Sequence, residues 1–119
     1  MTASKTFQRL FLGSVLAVLA SSAPLFADVV GSNRSPADLV TIDSVTGAGT
    51  SIGSLGFDFV AALAYDSNTG TVYGLDNATD QLITIDQATG VGTAVGSVGY
   101  TTTVGLAFDP NTDTLYGTD

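Results

Sequence analysis

A gapless internal repeat constrains this sequence more than any other feature. Residues 29–71 align with residues 72–114 without an insertion, and 19 of the 43 aligned positions are identical. Many of the other positions exchange Val with Ile or Tyr with Phe. Residues 115–119 (LYGTD) begin a third copy, because they match VYGLD at the start of the second copy. A repeat of about 40–45 residues is typical of the four-stranded blade of a β-propeller.

The pattern inside each copy predicts β-strands. The central set contains four short segments rich in β-branched and aromatic residues, which are Val60–Tyr65, Thr71–Leu75, Gln81–Ile85 and Gly92–Ser97. In the third segment, Ile83 and Ile85 are expected on one face and Leu82 on the other, because side chains alternate along a strand. No segment after residue 27 sustains the helical period. The sequence therefore predicts an all-β fold of four-stranded antiparallel propeller-type blades.

Turns that begin with Asp separate several of these strands. Three of them have the form Asp–x–x–x–Gly, namely Asp43–Gly47, Asp66–Gly70 and Asp86–Gly90. The Asp carboxylate accepts hydrogen bonds from turn amides, and Gly adopts the left-handed conformation that closes a hairpin. In a fourth turn, Asp109–Asp113, an Asp stands where the others have Gly. This Asp is expected to adopt the same conformation at some energetic cost.

The number of strands predicts an incomplete propeller. In a propeller blade the innermost strand comes first, so residues 60–98 form one full blade, with three strands before it and two after it. Nine strands are too few for a ring of about four to eight four-stranded blades. Two interpretations stay open. Either the sequence is a fragment of a longer chain, or copies self-associate if the chain truly ends at Asp119.

The first residues predict export. Lys5 and Arg9 form a positive region, an apolar stretch follows, and Ala27 is the expected last residue before cleavage. The apolar stretch is shorter than the roughly 20 residues that span a bilayer, so no stable membrane span is expected after cleavage. The predicted organisation is a signal peptide at 1–27 and a propeller-like repeat region at 28–119. The expected location is extracellular, periplasmic or at the cell surface.

Charge and composition narrow the classes of function. After removal of residues 1–27, Arg34 is the only base against eleven Asp, which leaves a net charge of −10. Such a chain is repelled by phosphate backbones, so no nucleic-acid partner is expected. The sequence has no Cys and no His. It therefore lacks disulfides, zinc thiolate sites and the usual general base of enzymes.

The consensus resembles propeller-like repeats of secreted bacterial proteins. It reads approximately LYGxD…LxTIDxxTGxGTxxGSxG…GLAxDxNT, and the turns DSNTG and DPNTD belong to it. Its most characteristic pairs are Tyr73-Gly74, Tyr116-Gly117, Ile42-Asp43 and Ile85-Asp86. Similar repeats accompany PEP-CTERM-type sorting signals, and others are relatives of YVTN and NHL propellers, although this sequence shows no such sorting motif. The resemblance covers essentially the whole mature chain and implies a surface or extracellular binding or scaffolding role.

One segment is a candidate for a metal site. Asp109, Asn111 and Asp113 space oxygen ligands as DxNxD, as at the start of several calcium loops. Calcium takes about six to eight oxygen ligands, and alternate loop residues supply three of them. The alternative is a hairpin turn in which Asp109 accepts hydrogen bonds from amides. The corresponding turn of the other copy has Gly70 instead of Asp113, which favours the hairpin. No other cofactor is predicted.

Side chains that recur in each copy suggest two further kinds of functional site, one catalytic and one for sugar binding. Asp43 and Asp86 are equivalent, as are Asp76 and Asp119, and paired carboxylates perform glycoside hydrolysis. Their recurrence in each copy favours a structural role, so no catalytic or cofactor-binding residue is predicted. Aromatic residues also recur in pairs, and they are expected to fill the space between blades, with stacking on sugars as the alternative. These pairs are Tyr65 with Phe108, Phe57 with Tyr100 and Tyr73 with Tyr116.

These features together predict an exported, non-enzymatic binding or scaffold protein built from propeller-like repeats. Its expected partner is an extracellular protein or a glycan. Two alternatives stay open. One is a secreted propeller enzyme that acts on polysaccharide, and the other is a calcium-stabilised cell-surface protein.

Overall fold

The computed structural model describes residues 29–34 and 37–119. The predicted signal peptide at 1–27 lies outside the described residues, so that assignment stays a prediction. All nine regular elements of the described residues are strands. They are β1 (Val29–Ser32), β2 (Asp38–Ile42), β3 (Gly49–Ser54), β4 (Val60–Asp66), β5 (Thr71–Asp76), β6 (Gln81–Ile85), β7 (Gly92–Ser97), β8 (Gly105–Asp109) and β9 (Thr114–Thr118). Among these residues there is no helix long and apolar enough to span a membrane.

The strands form three antiparallel sheets in chain order. Sheet 1 contains β1, β2 and β3, sheet 2 contains β4 to β7, and sheet 3 contains β8 and β9. The predicted division into three, four and two strands is therefore confirmed, as is the four-stranded antiparallel blade. The observed strands β4 to β7 match the four predicted segments to within one residue at each end.

Alternation along β6 places its two faces against different sheets. Ile83 and Ile85 are 0% and 5% exposed and belong to the apolar core between sheets 1 and 2. Leu82, on the opposite face, lines a cavity beside sheet 3. The predicted period of two is thus confirmed. A Leu or Ile side chain that is fully buried stabilises the fold by about 1.5–3 kcal/mol, so β6 is a major source of sheet packing.

The core of the molecule lies between sheets 1 and 2. Three of its buried residues come from sheet 1 and the loop segments beside it, and the others come from sheet 2. The members are Ala37, Leu39, Leu55, Val60, Val72, Ile83 and Ile85. Ser32 of β1 also donates a hydrogen bond from its hydroxyl to the Val60 carbonyl at 3.1 Å. Sheets 1 and 2 are therefore joined by apolar packing and by polar contacts.

Glycines let the backbones of sheets 1 and 2 approach each other. The Gly92 amide donates to the Leu55 carbonyl at 3.0 Å. A Cβ atom at Gly53 would lie closer than 3.0 Å to the Thr89 carbonyl oxygen, a separation that real Cβ atoms essentially never show. A Cβ at Gly90 would likewise clash with the backbone of Gly53. Glycine at these positions is a requirement of the sheet-to-sheet contact.

Sheet 3 covers sheet 2 less completely than sheet 2 covers sheet 1. Strand β8 lies against β4, and β9 pairs with β8. Gly96 is the repeat counterpart of Gly53, yet a Cβ at Gly96 would meet nothing within 4 Å. The same repeat position is therefore tightly packed in one copy and open in the other.

Candidate functional site

The Asp turns have the geometry that the sequence predicts. The Val45 and Thr46 amides donate to Asp43 Oδ1 at 2.8 and 3.0 Å. The Gly47 amide donates to the Asp43 carbonyl at 2.7 Å, and Gly47 has a φ of 76°. Asp86 closes its turn with the equivalent hydrogen bonds. These carboxylates therefore satisfy turn amides and hold the hairpins closed.

The two turns at the β4–β5 and β8–β9 connections are built in the same way. Asp66 accepts hydrogen bonds from the Asn68 amide at 2.8 Å and from the Thr69 hydroxyl. Asp109 accepts from the Asn111 amide at 2.9 Å. Asp113 stands where the other turn has Gly and has a φ of 54°. The predicted left-handed conformation of this Asp is thus confirmed.

The candidate calcium ligands have partners within the protein. Asp109 also accepts hydrogen bonds from the Asn111 side-chain amide at 3.3 Å and from the Thr112 hydroxyl at 2.9 Å. Asn68 Nδ2 donates to Asp113 Oδ1 at 3.1 Å, which links the β4–β5 turn to the β8–β9 turn. Within residues 29–34 and 37–119, no three Asp, Glu, His or Cys side chains are grouped closely enough to hold a metal ion. The calcium assignment stays a prediction.

The hydrogen bonds in three turns hold the pKa of the Asp carboxyl below its ordinary value of 3.8. An amide or hydroxyl that donates to a carboxylate stabilises the ionised form. The largest cause is the Thr46 amide for Asp43, the Thr69 hydroxyl for Asp66 and the Asn111 amide for Asp109.

These lowered pKa values predict acid sensitivity. Each of the three carboxyls binds its proton more weakly in the folded chain than in the unfolded chain. Its contribution to stability is therefore present above the unfolded pKa and is lost as the pH falls through the lower folded pKa. We expect the urea midpoint of unfolding to be flat between about pH 7 and 5 and to decline below about pH 4. An Asp43→Asn variant should show a shallower decline, and a midpoint unchanged in acid would contradict this prediction.

Asp76 is buried at 0% exposed, as is Asp66 at 4%, whereas Asp43 and Asp86 are exposed and Asp109 is partly exposed. Asp76 Oδ1 accepts from the Phe59 and Ala78 amides at 3.2 and 3.3 Å. Its Oδ2 accepts from the Thr79 amide at 3.2 Å and the Thr79 hydroxyl at 2.6 Å. The carboxylate connects the β5–β6 turn to the segment before β4. Its role in the structure is to satisfy buried donors.

The aromatic residues depart from the prediction. Tyr65, Tyr100 and Tyr116 are 58%, 66% and 53% exposed, so the expectation that they fill the space between blades is wrong for these three. Phe57 does pack against the core between sheets 1 and 2, as predicted. The difference arises because the face that holds Phe57 is covered by sheet 2, whereas its counterpart Tyr100 lies beside the smaller sheet 3.

A cavity of about 560 Å³ lies between sheets 2 and 3. Its lining is mainly apolar and includes Leu75, Leu82, Val98, Tyr100, Leu106 and Leu115. Val104, 64% exposed, is next to this region in the chain, at the start of sheet 3. Sequence patterns alone did not identify the cavity, because it depends on how far one sheet covers the next. This cavity, with the exposed Tyr100 in its lining and the exposed Tyr116 on β9, is the candidate binding surface.

Comparison with known proteins supports the architecture. The fold is similar to that of a chain in the crystal structure of a nidogen/laminin complex, with a TM-score of 0.67 and 19% sequence identity. The similarity covers 80% of this chain and 36% of that chain. At this identity the likeness shows the fold alone. No family model and no curated protein sequence matches this chain.

The predicted fold class is confirmed, because the nine strands form antiparallel sheets and the similar chain comes from a protein that contains a β-propeller. The same structural similarity supports the broad resemblance to propeller-type repeats. The narrower grouping with PEP-CTERM-associated, YVTN and NHL-like repeats stays a prediction.

Proposed function

We propose that this chain is an exported, non-enzymatic binding or scaffold protein whose propeller-like repeats present a surface to an extracellular protein or glycan. The observation that carries the proposal is that the aspartate carboxylates accept hydrogen bonds within the turns. Acid–base chemistry in the mature chain would depend on Asp and Tyr, since His, Cys and Glu are absent. At the turn positions described above, the carboxylates instead accept hydrogen bonds from the adjacent backbone.

The surface offers binding side chains. Tyr100 and Tyr116 are more than half exposed, and Val95 and Val104 are 59% and 64% exposed. Tyrosines are enriched at interfaces because one ring combines a large apolar area with a hydroxyl that forms hydrogen bonds. The similar chain comes from a complex of nidogen with laminin, which is consistent with a protein partner. Export rests on the predicted signal peptide.

A pull-down tests the proposal. The chain would be immobilised and exposed to the extracellular fraction of its native host, and retained proteins and glycans would be identified. We expect one reproducible partner, and retention should fall in a Tyr100→Ser, Tyr116→Ser double variant but not in a Tyr65→Ser variant. Recovery of nothing reproducible would count against binding, and turnover of a polysaccharide by the purified chain would replace the proposal with an enzyme.

Calcium is not expected to change the thermal stability. Within the described residues, no three Asp, Glu, His or Cys side chains are grouped closely enough to hold a metal ion. The Asp109 and Asp113 carboxylates accept hydrogen bonds from turn groups, which already hold this turn in place. We expect the same Tm in calcium and in chelator. An Asp113→Gly variant is the matched control, because Gly at the equivalent position, Gly70, has a φ of 75°. A calcium-dependent rise in Tm that this variant abolishes would support the calcium-stabilised alternative.

A further inference from the structure

One side-chain amide joins a turn of sheet 2 to a turn of sheet 3. Strands β4 and β8 lie against each other, and each leads into a turn that begins with Asp. Asn68 Nδ2, in the β4–β5 turn, donates to the Pro110 carbonyl at 3.0 Å and to Asp113 Oδ1 at 3.1 Å, both in the β8–β9 turn. A side-chain amide carries two N–H donors, so it can form both hydrogen bonds at once. The two bonds bridge residues that are 42 and 45 positions apart in the chain.

Each end of this bridge is held in position by its own turn. The Asn68 backbone amide donates to Asp66 Oδ1 at 2.8 Å, which fixes Asn68 at the tip of the β4–β5 turn. In the β8–β9 turn, the Thr112 hydroxyl donates to Asp109 Oδ2 at 2.9 Å, directly before Asp113. Because both turns are closed by their own hydrogen bonds, the bridge orders few additional groups and costs little conformational entropy.

The backbone of Asp113 is left-handed, with a φ of 54°. Its repeat counterpart is Gly70, which has a φ of 75° and no side chain to strain that conformation. A residue other than Gly adopts a positive φ at an energetic cost, and such a residue persists where the surrounding contacts determine its conformation. The Asp113 carboxylate gains a partner on sheet 2, which a Gly could not supply. The contact with Asn68 therefore offsets the strain at Asp113.

The repeat counterpart of Asn68 uses its amide differently. Asn111 occupies the same position of the β8–β9 turn. Its Nδ2 donates to Asp109 Oδ1 at 3.3 Å, within its own turn, whereas Asn68 Nδ2 reaches across to the neighbouring turn. The bridge is therefore not a property of the turn type alone, and Asn111 supplies a matched control for Asn68.

The bridge lies at the opposite end of the strands from the chain connection between the two sheets. Strands β4 to β7 are antiparallel in chain order, so the end of β7 lies beside the start of β4. The chain passes from sheet 2 to sheet 3 at that end, through residues 98–104. The Asn68 bridge joins the ends of β4 and β8. Sheets 2 and 3 are therefore tethered by the backbone at one end and by a side-chain amide at the other.

We propose that Asn68 and Asp113 form a latch that holds sheet 3 against sheet 2, and that opening of the latch lets sheet 3 hinge about the β7–β8 connection. This conformational device is separate from the proposed binding function and requires no partner. Both side chains are exposed, so water replaces their hydrogen bonds when the latch opens. The latch therefore opens without disruption of the apolar core between sheets 1 and 2, as a local opening of one structural unit.

Hydrogen–deuterium exchange of the full chain, resolved by strand, tests the latch. Asp113→Gly should raise the amide exchange rates of β8 and β9 by about three- to tenfold, the range expected for loss of one hydrogen bond. The rates of β1 to β3 should stay unchanged, because these strands belong to sheet 1. Asp113→Asn is the matched variant, since Asn and Gly both tolerate a positive φ but Asn alone keeps an acceptor oxygen for Asn68. It should exchange as the unmodified chain does.

Variants of the other partner show whether the two residues act together. Asn68→Ala should raise the exchange of β8 and β9 at least as much as Asp113→Gly, because it removes both hydrogen bonds of the bridge. The double variant should exchange no faster than Asn68→Ala alone, since both changes break the same contact. Asn111→Ala is the control, because the Asn111 side-chain amide donates within its own turn. It should leave the rates of β8 and β9 within about twofold of the unmodified chain.

Three outcomes would overturn the inference. The first is equal exchange of β8 and β9 in Asp113→Gly, Asp113→Asn and the unmodified chain. The second is an increase spread over all three sheets, which would indicate a general loss of stability and not a latch between two sheets. The third is additive effects of Asn68→Ala and Asp113→Gly, which would mean that the two side chains act independently.

Discussion

Replacement of Gly53 by Ala is expected to lower the free energy of unfolding by about 1–3 kcal/mol, the usual cost of overpacking, and the contact with a backbone atom favours the upper end of that range. The new Cβ would lie closer than 3.0 Å to the Thr89 carbonyl oxygen. A backbone carbonyl cannot rotate away as the end of a flexible side chain can, so sheets 1 and 2 would have to separate. Urea denaturation followed by far-UV circular dichroism measures the effect.

The repeat supplies the control for this prediction. Gly96 is equivalent to Gly53, but a Cβ there would meet nothing within 4 Å. Gly96→Ala is therefore expected to leave stability unchanged or to raise it by up to about 0.5 kcal/mol, because Ala loses less backbone entropy on folding than Gly. If Gly53→Ala and Gly96→Ala lowered the free energy of unfolding equally, glycine would be required by the strand position itself and not by the contact between sheets 1 and 2.

Removal of the Asp76 carboxylate is expected to cost about 3 kcal/mol or more, because the loss of a buried acceptor leaves several donors without partners. Asp76 is 0% exposed, and the Phe59, Ala78 and Thr79 amides all donate to it. We expect Asp76→Ala to lower the urea midpoint strongly. Asp76→Asn should also lower it, because the new amide group is a donor placed among donors.

Asp119 is the matched control for Asp76. The two residues are equivalent in the repeat, but Asp119 is exposed. Asp119→Ala is expected to change the free energy of unfolding by less than about 0.5 kcal/mol, as is usual for surface substitutions. If Asp76→Ala were as mild as Asp119→Ala, the buried hydrogen-bond network would not be a source of stability.

Local structure was predictable from the sequence to a large extent. The boundaries of β4 to β7 agree with the predicted segments because strand alternation and turn residues act over a few neighbouring positions. The turn at Asp43 and the positive φ of Asp113 were predictable for the same reason, since both depend on local hydrogen bonding and backbone sterics.

The candidate binding surface was not predictable in this way. The sequence treats Phe57 and Tyr100 as equivalent, and it led to the incorrect expectation that both fill the space between blades. The link from Asn68 to Asp113 at 3.1 Å also joins residues 45 positions apart, and no local pattern indicates it. Such features depend on which sheet lies opposite a given face.

The amino-acid sequence was sufficient to predict the repeat, the strand periodicity, the turns closed by Asp and the division into three, four and two strands, because each follows from residues close together in the chain. The tertiary structure decided which copy of a repeated residue is buried. Leu55 is 0% exposed and its counterpart Val98 is partly exposed, although both follow the same type of strand. The physical reason is that burial is a property of the opposing surface: sheet 2 covers Leu55 with a complete blade, and sheet 3 covers Val98 with two strands and a cavity.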